Sequence, residues 1–396
     1  MNVLDWLIVG GGPHGVHLAA RLVGEGGIDS ARLAILDPAA QLLQRWRSFT
    51  SATGMSHLRS PGVHHLDLEP SSLMRFAGDR RKRPPGLLRS RYNCPSLDLF
   101  NAHCDHVITR FGLTGLHLRG KAERLQPETD GVQVTTCDGT TIAAARVVLA
   151  LGAGDQPEWP EWAVGHGSRI RHLFDPPGQP SPHRSDPGER ALVVGGGISA
   201  VQAAIRLVAD QRTVDLVTRH PPRVHRFDSD PGWLGPKLMP TFERERDPDG
   251  RRRIIQQARH RGSVTPEVRH ALRVALASGR LTLHHSEVSG LEVDGAGLQL
   301  ELTSGERIDG DHLYLATGFA SRRPGGAMLD RLVDEHDLRC AACGYPIVDS
   351  WLRWHPRIHV TGPLAELEIG PVARNIAGAR RAGDRLVDAA LKQPAA

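Results

Sequence analysis

The sequence predicts an α/β chain in which one strand, glycine turn, helix and strand unit is used twice. Three observations carry that prediction. The apolar run Trp6–Val9 stops at Gly10-Gly11-Gly12-Pro13-His14-Gly15, and the run Ala191–Val194 stops at Gly195-Gly196-Gly197-Ile198-Ser199-Ala200. Behind each turn, apolar residues recur at helix spacing: Val16, Ala19, Ala20, Leu22 and Val23 in one, Ala203, Ala204, Leu207 and Val208 in the other. A second short apolar run then follows, Leu33–Leu36 and Val214–Val217 respectively.

The first unit ends its second strand in Asp37-Pro38, with the acid 22 positions after Gly15. A G-x-G-x-x-G turn between strand and helix, with an acid at that distance, is a dinucleotide-binding fingerprint. Gly10 permits the tight turn, Gly12 lets the backbone approach a pyrophosphate, and Gly15 lets helix and strand pack closely. Pro13 and His14 open the helix, whose N-terminus offers unsatisfied N–H groups to phosphate. Asp37 is placed to accept both ribose hydroxyls of an adenosine.

In the second unit Gly195, Gly197, Ser199 and Ala200 hold the equivalent places, with Ser199 expected to cap the helix and touch a phosphate. Its second strand ends in Thr218-Arg219, where an acid would repel a 2′-phosphate and an arginine neutralises one. The first unit is therefore suited to FAD and the second to NADPH.

Each unit also closes alike. Val132–Thr135 and Thr140–Ile142 flank Asp138-Gly139 as a hairpin, and the run from Arg146 to Gly152 follows. Leu298–Leu302 and Glu306–Ile308 flank Ser304-Gly305, and Asp311 to Phe319 follows. Linkers rich in proline and glycine fall near 155–162 and 175–188. The expected organisation is two Rossmann-like dinucleotide-binding domains, the FAD domain discontinuous and the NADPH domain inserted. Its parts are 1–165, 186–318 and 319–396. Two nucleotides brought together in one chain is the architecture for passing a hydride between cofactors.

Composition narrows the class. Among 396 residues 40% are hydrophobic and 23% charged, and the net charge is +5. Apolar runs recur along the whole chain, against wholesale disorder. Lysines occur only at 82, 121, 237 and 392, so nearly all of the 49 basic residues are arginines, which grip phosphate and carboxylate in forked pairs. Five cysteines form an odd, sparse set, unlike a secreted disulfide framework. With no targeting signal and no membrane-length apolar run, a cytoplasmic protein is expected.

With these residues in hand, the chain resembles the two-dinucleotide-binding-domain flavoproteins over nearly its whole length. Within them it is similar to the class B flavin monooxygenases, especially the branch that N-hydroxylates lysine or ornithine. Asp311-x-x-x-Leu315-Ala316-Thr317-Gly318-Phe319 is similar to that branch's D-x-x-x-L-A-T-G-Y signature. Trp46, and Met55-Ser56-His57-Leu58-Arg59-Ser60-Pro61, resemble the segment lying along the flavin. Val360-Thr361-Gly362-Pro363 through Gly370-Pro371-Val372-Ala373-Arg374-Asn375 resembles the closing flavin-contacting strand and helix.

The resemblance implies an NADPH-dependent FAD monooxygenase. It would pass one oxygen from a flavin C4a-hydroperoxide to a small nucleophilic substrate, an amine nitrogen, with O₂ as co-substrate. It places Thr317 and Gly318 in the catalytic region. Trp46, Met55, His57, Gly152, Phe319, Gly362, Gly370 and Pro371 are assigned to cofactor contact, and His172 receives no catalytic role. The alternatives are an FAD-dependent NAD(P)H reductase serving a small acceptor or partner protein, and a non-catalytic redox-sensing flavoprotein.

Other constellations carry less. Cys340-Ala341-Ala342-Cys343 sits after the second A-T-G motif, away from where reductases of this fold keep a reactive pair, so both cysteines are read as structural. No metal site is expected, since His336 with those cysteines lacks a fourth ligand. The basic run Arg80-Arg81-Lys82-Arg83 and the shorter Arg251-Arg252-Arg253 are read as exposed loops. No aromatic residues interleave with them as a nucleic-acid surface would require. No membrane partner is expected, and the oligomeric state is left open.

Overall fold

The structure, a computed structural model, describes residues 3–175, 188–295 and 297–392. Much of the 175–188 linker and the start of the span expected at 186 lie outside the described residues.

The first sheet has eight strands and is built around Leu4–Val9. That strand pairs in parallel with Leu33–Asp37 on one side and Thr141–Leu149 on the other. Being central and covered on both faces, its part from Trp6 to Val9 reads as an unbroken apolar run, and Trp6, Leu7 and Ile8 are fully buried. His117–Arg119 adds beyond Leu33–Asp37, and Ile358–Val360 adds beyond Thr141–Leu149. The last of these arrives from the far end of the chain, and the C-terminal helix Ile376–Lys392 packs on the first helix, Pro13–Gly24. The first unit is therefore discontinuous, and the second is inserted into it.

The second sheet has five parallel strands in the order Leu281–His285, Thr213–Thr218, Arg190–Val194, His312–Leu315, Ile170–His172. Its edge strand Ile170–His172 lies ahead of residue 186 in the chain, and Ala163 packs in the same core as Leu192 and Leu313.

The two hairpins close their units differently. In the first, the residues from Arg146 are not a new strand. They continue the hairpin arm, so Thr141–Leu149 pairs first with Val132–Thr136 and then runs into the central sheet. In the second, Arg307–Gly310 ends in a separate three-stranded sheet, and His312–Leu315 starts afresh in the parallel one. Gly310 marks the break, where a Cβ would stand 2.6 Å from the Leu192 side chain.

Between Thr213–Thr218 and helix Pro266–Ala277 the inserted unit sends an excursion back over the first. Its helices Met239–Arg244 and Pro248–Ala258 place Met239, Phe242, Ile255 and Ala258 in the first unit's core. Arg59 fastens the two units from the other side. Its Nε donates to the Arg226 carbonyl at 3.0 Å, and its Nη2 to the carbonyls of His225 at 2.7 Å and Phe227 at 2.6 Å and to Ser263 Oγ at 3.0 Å.

Candidate functional site

Both glycine turns use the same contact. A Cβ on Gly10 would lie 2.5 Å from the Ala150 carbonyl oxygen, and one on Gly195 would lie 2.5 Å from that of Ala316. Their φ angles are +118° and +153°, which glycine alone adopts freely. The neighbouring parallel strand thus ends flush against each turn, and its last carbonyl fixes the turn's position.

In the first turn Gly15 is closed off completely, since a Cβ there would stand 1.8 Å from the Gly10 carbonyl oxygen. Gly12, the helix N-cap, faces open space, with nothing within 4 Å of where a Cβ would stand. Pro13 sits at the first helical position, where its missing N–H costs nothing. The Asp37 carboxylate accepts from the backbone N–H of Gly11 at 2.6 Å and of Ala39 at 2.8 Å, so it is held against the turn. This is a cradle with a closed floor and a free mouth.

His14 joins the cradle to the closing segment. Its Nδ1 lies 3.0 Å from Thr361 Oγ1, and the ring lies 3.6 Å from where a Cβ on Gly362 would be. Burial pushes its pKa down to about 4, so the imidazole is neutral near pH 7. Gly362 takes φ +65° and Gly370 takes φ +94°, the latter beneath the Phe242 ring of the excursion. Pro371 is buried beside it, and Gly152 starts a short turn with open space over its Cα.

In the second turn Gly197 is the helix N-cap and faces almost open space, its nearest neighbour being the Gly262 Cα at 3.8 Å. Ser199 does not cap the helix as expected. It lies inside the first turn of Ile198–Ala209, and the cap carries no side-chain bond. Ala200 occupies the place of Gly15, and its methyl sits 3.1 Å from the Gly195 Cβ position. Arg219 is exposed at the end of Thr213–Thr218 and makes no ion pair among the described residues.

The strand end at Thr317-Gly318-Phe319 meets both units. Phe319 stacks on Phe174 with ring centroids 4.8 Å apart, and both rings approach Phe49 of the first unit, at 5.8 and 4.9 Å. His172, to which the sequence assigned nothing, proves to be Thr317's partner. Phe174 N–H donates to His172 Nδ1 at 3.2 Å, so Nδ1 is bare and Nε2 carries the hydrogen. That Nε2 then donates to Thr317 Oγ1 at 3.2 Å, and Thr317 Oγ1 donates to the Glu158 carbonyl. Burial holds the His172 pKa at about 4, in keeping with a neutral ring. The one hydroxyl hydrogen of Thr317 is thereby committed to the backbone, and Gly318, at φ +91°, turns the chain immediately after it.

Three assigned residues stand apart from these groups. Trp46 donates from Nε1 to Asn101 at 3.2 Å and packs on Phe100. His57 Nε2 lies 2.6 Å from the Gly86 carbonyl, tying its segment to the basic loop. Met55 is half-buried against the first core.

Sequence reading also missed a buried charge cluster behind Gly370. Glu366 is 1% exposed and pairs with Arg374 at 2.7 Å and with Arg252. Burial pushes its carboxyl up, but the two guanidiniums more than offset this and hold it below the usual glutamate value. Arg252 also donates to Cys343 Sγ at 3.3 Å, which gives that thiol a packing role, and both Cys340 and Cys343 are free. The only prior signal was the run Arg251–Arg253, which looked like a solvated loop.

Comparison with known proteins agrees with this geometry. Residues 7–154 match a family model described as FAD-NAD(P)-binding. A curated relative, a ferredoxin–NADP reductase of Thermus thermophilus, is 30% identical over 111 residues, which is 26% of this chain and 30% of that protein's length. Among solved structures, the ornithine N-hydroxylase of Kutzneria sp. 744 superposes with a TM-score of 0.76 at 18% identity, covering 99% of this chain and all of that one. The fold is that of the two-dinucleotide-binding-domain flavoproteins. L-lysine 6-monooxygenase from Pseudomonas syringae shares it, at TM-score 0.72 and 20% identity over 98% of this chain and 99% of that one. So does the bacillithiol disulfide reductase of Bacillus cereus, at 0.64 and 16% over 99% of this chain and all of that one. No helix among the described residues is long and apolar enough to cross a membrane.

Proposed function

We propose that this chain is an NADPH-dependent FAD monooxygenase that places one atom of O₂ on a small nucleophile, an amine nitrogen, and releases the other as water. The observation that carries this reading is the pair of cradles of opposite electrical character. One is backed by the Asp37 carboxylate and the other is followed by the Arg219 guanidinium, which has no ion-pair partner among the described residues. Both middle glycines, Gly12 and Gly197, leave the space a pyrophosphate needs, and both outer glycines are pinned by a strand-end carbonyl. FAD would be held by Gly10, Gly12, Gly15 and Asp37, with Gly362, Gly370 and Pro371 closing over it. NADPH would be held by Gly195, Gly197, Ser199 and Arg219. Bound flavin supplies two-electron acceptance and oxygen activation, chemistry that side chains lack.

The chain's own contribution is position and dryness. The rings of Phe49, Phe174 and Phe319 close an apolar patch where the two units meet, which keeps water from the junction. His172 and Thr317 set the backbone of that junction through the Glu158 carbonyl, and their facing polar atoms are spent on one another and on the backbone. The ornithine hydroxylase solved with reduced FAD, NADP⁺ and L-ornithine shares this architecture and supports the oxygenase reading.

Reductases share the fold too, so the test must separate the two chemistries. NADPH-reduced protein is mixed rapidly with O₂ in the presence of NADP⁺, and NADPH, O₂ and H₂O₂ are counted with a panel of amines. An oxygenase reoxidises in two phases, and a substrate amine suppresses H₂O₂ release. A single phase, with one H₂O₂ per NADPH whatever amine is present, identifies a reductase.

A further inference from the structure

A cleft of about 230 Å³ lies between the two units, and of the residues assigned to cofactor contact only His57 lines it. One wall is Gly54 to Arg59 with Arg89, Ser90 and Cys94, and the other is the facing sides of helices Ile198–Ala209 and Pro266–Ala277. Its volume is below the ~300–1,000 Å³ of pockets for drug-sized molecules, so it suits a small ligand. It opens beside Ser56 and His57, in the segment that resembles the flavin-facing one.

The chemistry of the lining is divided. Leu58, Ile198, Ile205 and Val268 supply an apolar body, with Ala209 and Ala271 leaving room between them. Four arginines, at 59, 89, 206 and 226, stand against a single carboxylate, Glu267. Arg226 takes that carboxylate at 2.8 Å, Arg59 is spent on backbone carbonyls, and Arg206 pairs with Asp210 at 3.1 Å outside the lining. Arg89 is exposed and makes no ion pair among the described residues.

Arg89 also belongs to the most basic stretch of the chain. Residues 75–91 hold seven arginines and lysines and one acid, a net of +6, while the whole chain nets +5. Formal positive charge is thus concentrated in this stretch, which reaches the cleft lining through Arg89, and the remainder of the chain sums close to neutral. A basic rim over low-dielectric walls draws anions and repels cations.

We infer that the cleft is the site of a small ligand with an apolar body and an acidic head, the body on the two helices and the head at Arg89. As a statement of substrate class this rests on the oxygenase reading; as a binding site it stands without it. A bare diamine, or another amine without an acidic group, is disfavoured by the same field, whereas an amine that also carries an acidic head is not.

The test is calorimetric titration of octanoate into the oxidised, flavin-loaded protein, with octan-1-amine as the charge-reversed control. Octanoate should saturate one site, weaken with added salt, and be unaffected by NADP⁺, while the amine gives no saturable heat. Arg89→Glu should weaken octanoate at least tenfold; the residue is exposed, so the change leaves packing intact. Ala271→Trp fills the space between the helices and should abolish binding, with retained flavin and an unchanged melting point showing that the fold survives. Absence of octanoate binding to the unaltered protein, equal binding of the amine, or displacement of octanoate by NADP⁺ would each overturn the inference, the last by making the cleft part of the dinucleotide path. The titration needs no turnover, so its failure leaves the oxygenase reading standing, and failure of the reoxidation test leaves the cleft.

Discussion

The two glycine turns are held by the same carbonyl contact and diverge one helical turn further on. In the first, the sixth position must be Gly15, because the Gly10 carbonyl fills the space a Cβ would need. In the second, the sixth position is Ala200, whose buried methyl is accommodated beside Gly195. The first unit is the tighter object in other respects as well. Its central strand is buried from Trp6 to Val9, its closing helix returns from far along the chain, and it holds most of the buried histidines among the described residues. The lesson is that one sequence pattern, repeated, need not give two equally constrained sites.

Acid should break that symmetry most. Burial holds His14, His17, His64, His103 and His359 of the first unit at about 4 or lower, against His172 alone in the second among the described residues. Each folded pKa lies below the unfolded 6.5, so the unfolded chain binds more protons between those values. Stability is therefore complete above pH 6.5 and falls as pH drops toward 4. For the fully buried His17, His103 and His359 the loss is on the order of 3 kcal/mol each. Hydrogen exchange followed from pH 7 to 4 should show first-unit peptides losing protection first; protection lost from the second unit first would contradict the comparison.

Substitution sharpens it next. Gly15→Val forces a side chain into the Gly10 carbonyl and should cost on the order of 4 kcal/mol, with flavin lost alongside. Gly12→Val meets nothing in the protein, so the flavin-free melting point should hold while the yellow absorbance disappears. Undiminished flavin content in the Gly12 variant would remove the cradle from cofactor binding.

Arg219→Ala concerns the electrical difference between the units. A charge-assisted contact of ~1.5–3 kcal/mol makes the loss about ten- to a hundredfold in NADPH affinity, with NADH barely changed. Equal use of both coenzymes by the unaltered protein in flavin-reduction assays would refute the assignment. The smallest effect is expected from Ala200→Gly, where the second turn gives up a helix-favouring methyl for nothing. Thermal unfolding should register a loss of about 0.5–1 kcal/mol.

Much of this was legible beforehand, because the fold rests on local signals. Glycine turns, apolar runs and the two hairpins sit where the chain must bend or bury itself, and no distant partner is needed to recognise them. What escaped depends on contacts between residues far apart in sequence. His172 sits in a three-residue strand, too short for any periodicity, and gains meaning only when Thr317 comes to meet it. Arg252 looked solvated because its partner Glu366 lies 114 positions away. The continuation of Thr141–Leu149 into the central sheet was hidden because a hairpin arm and a core strand share the same alternation for their first few residues.

The fastening at Arg59 has one further consequence. Its acceptors at positions 225, 226 and 227 are all main-chain oxygens, which every amino acid possesses. The joint between the units therefore reads the path of the chain and is indifferent to its letters there. Replacement of any of those three residues leaves the oxygens in place, whereas inserting or deleting one shifts all of them together. Divergent relatives should drift freely in composition at this loop while keeping its length.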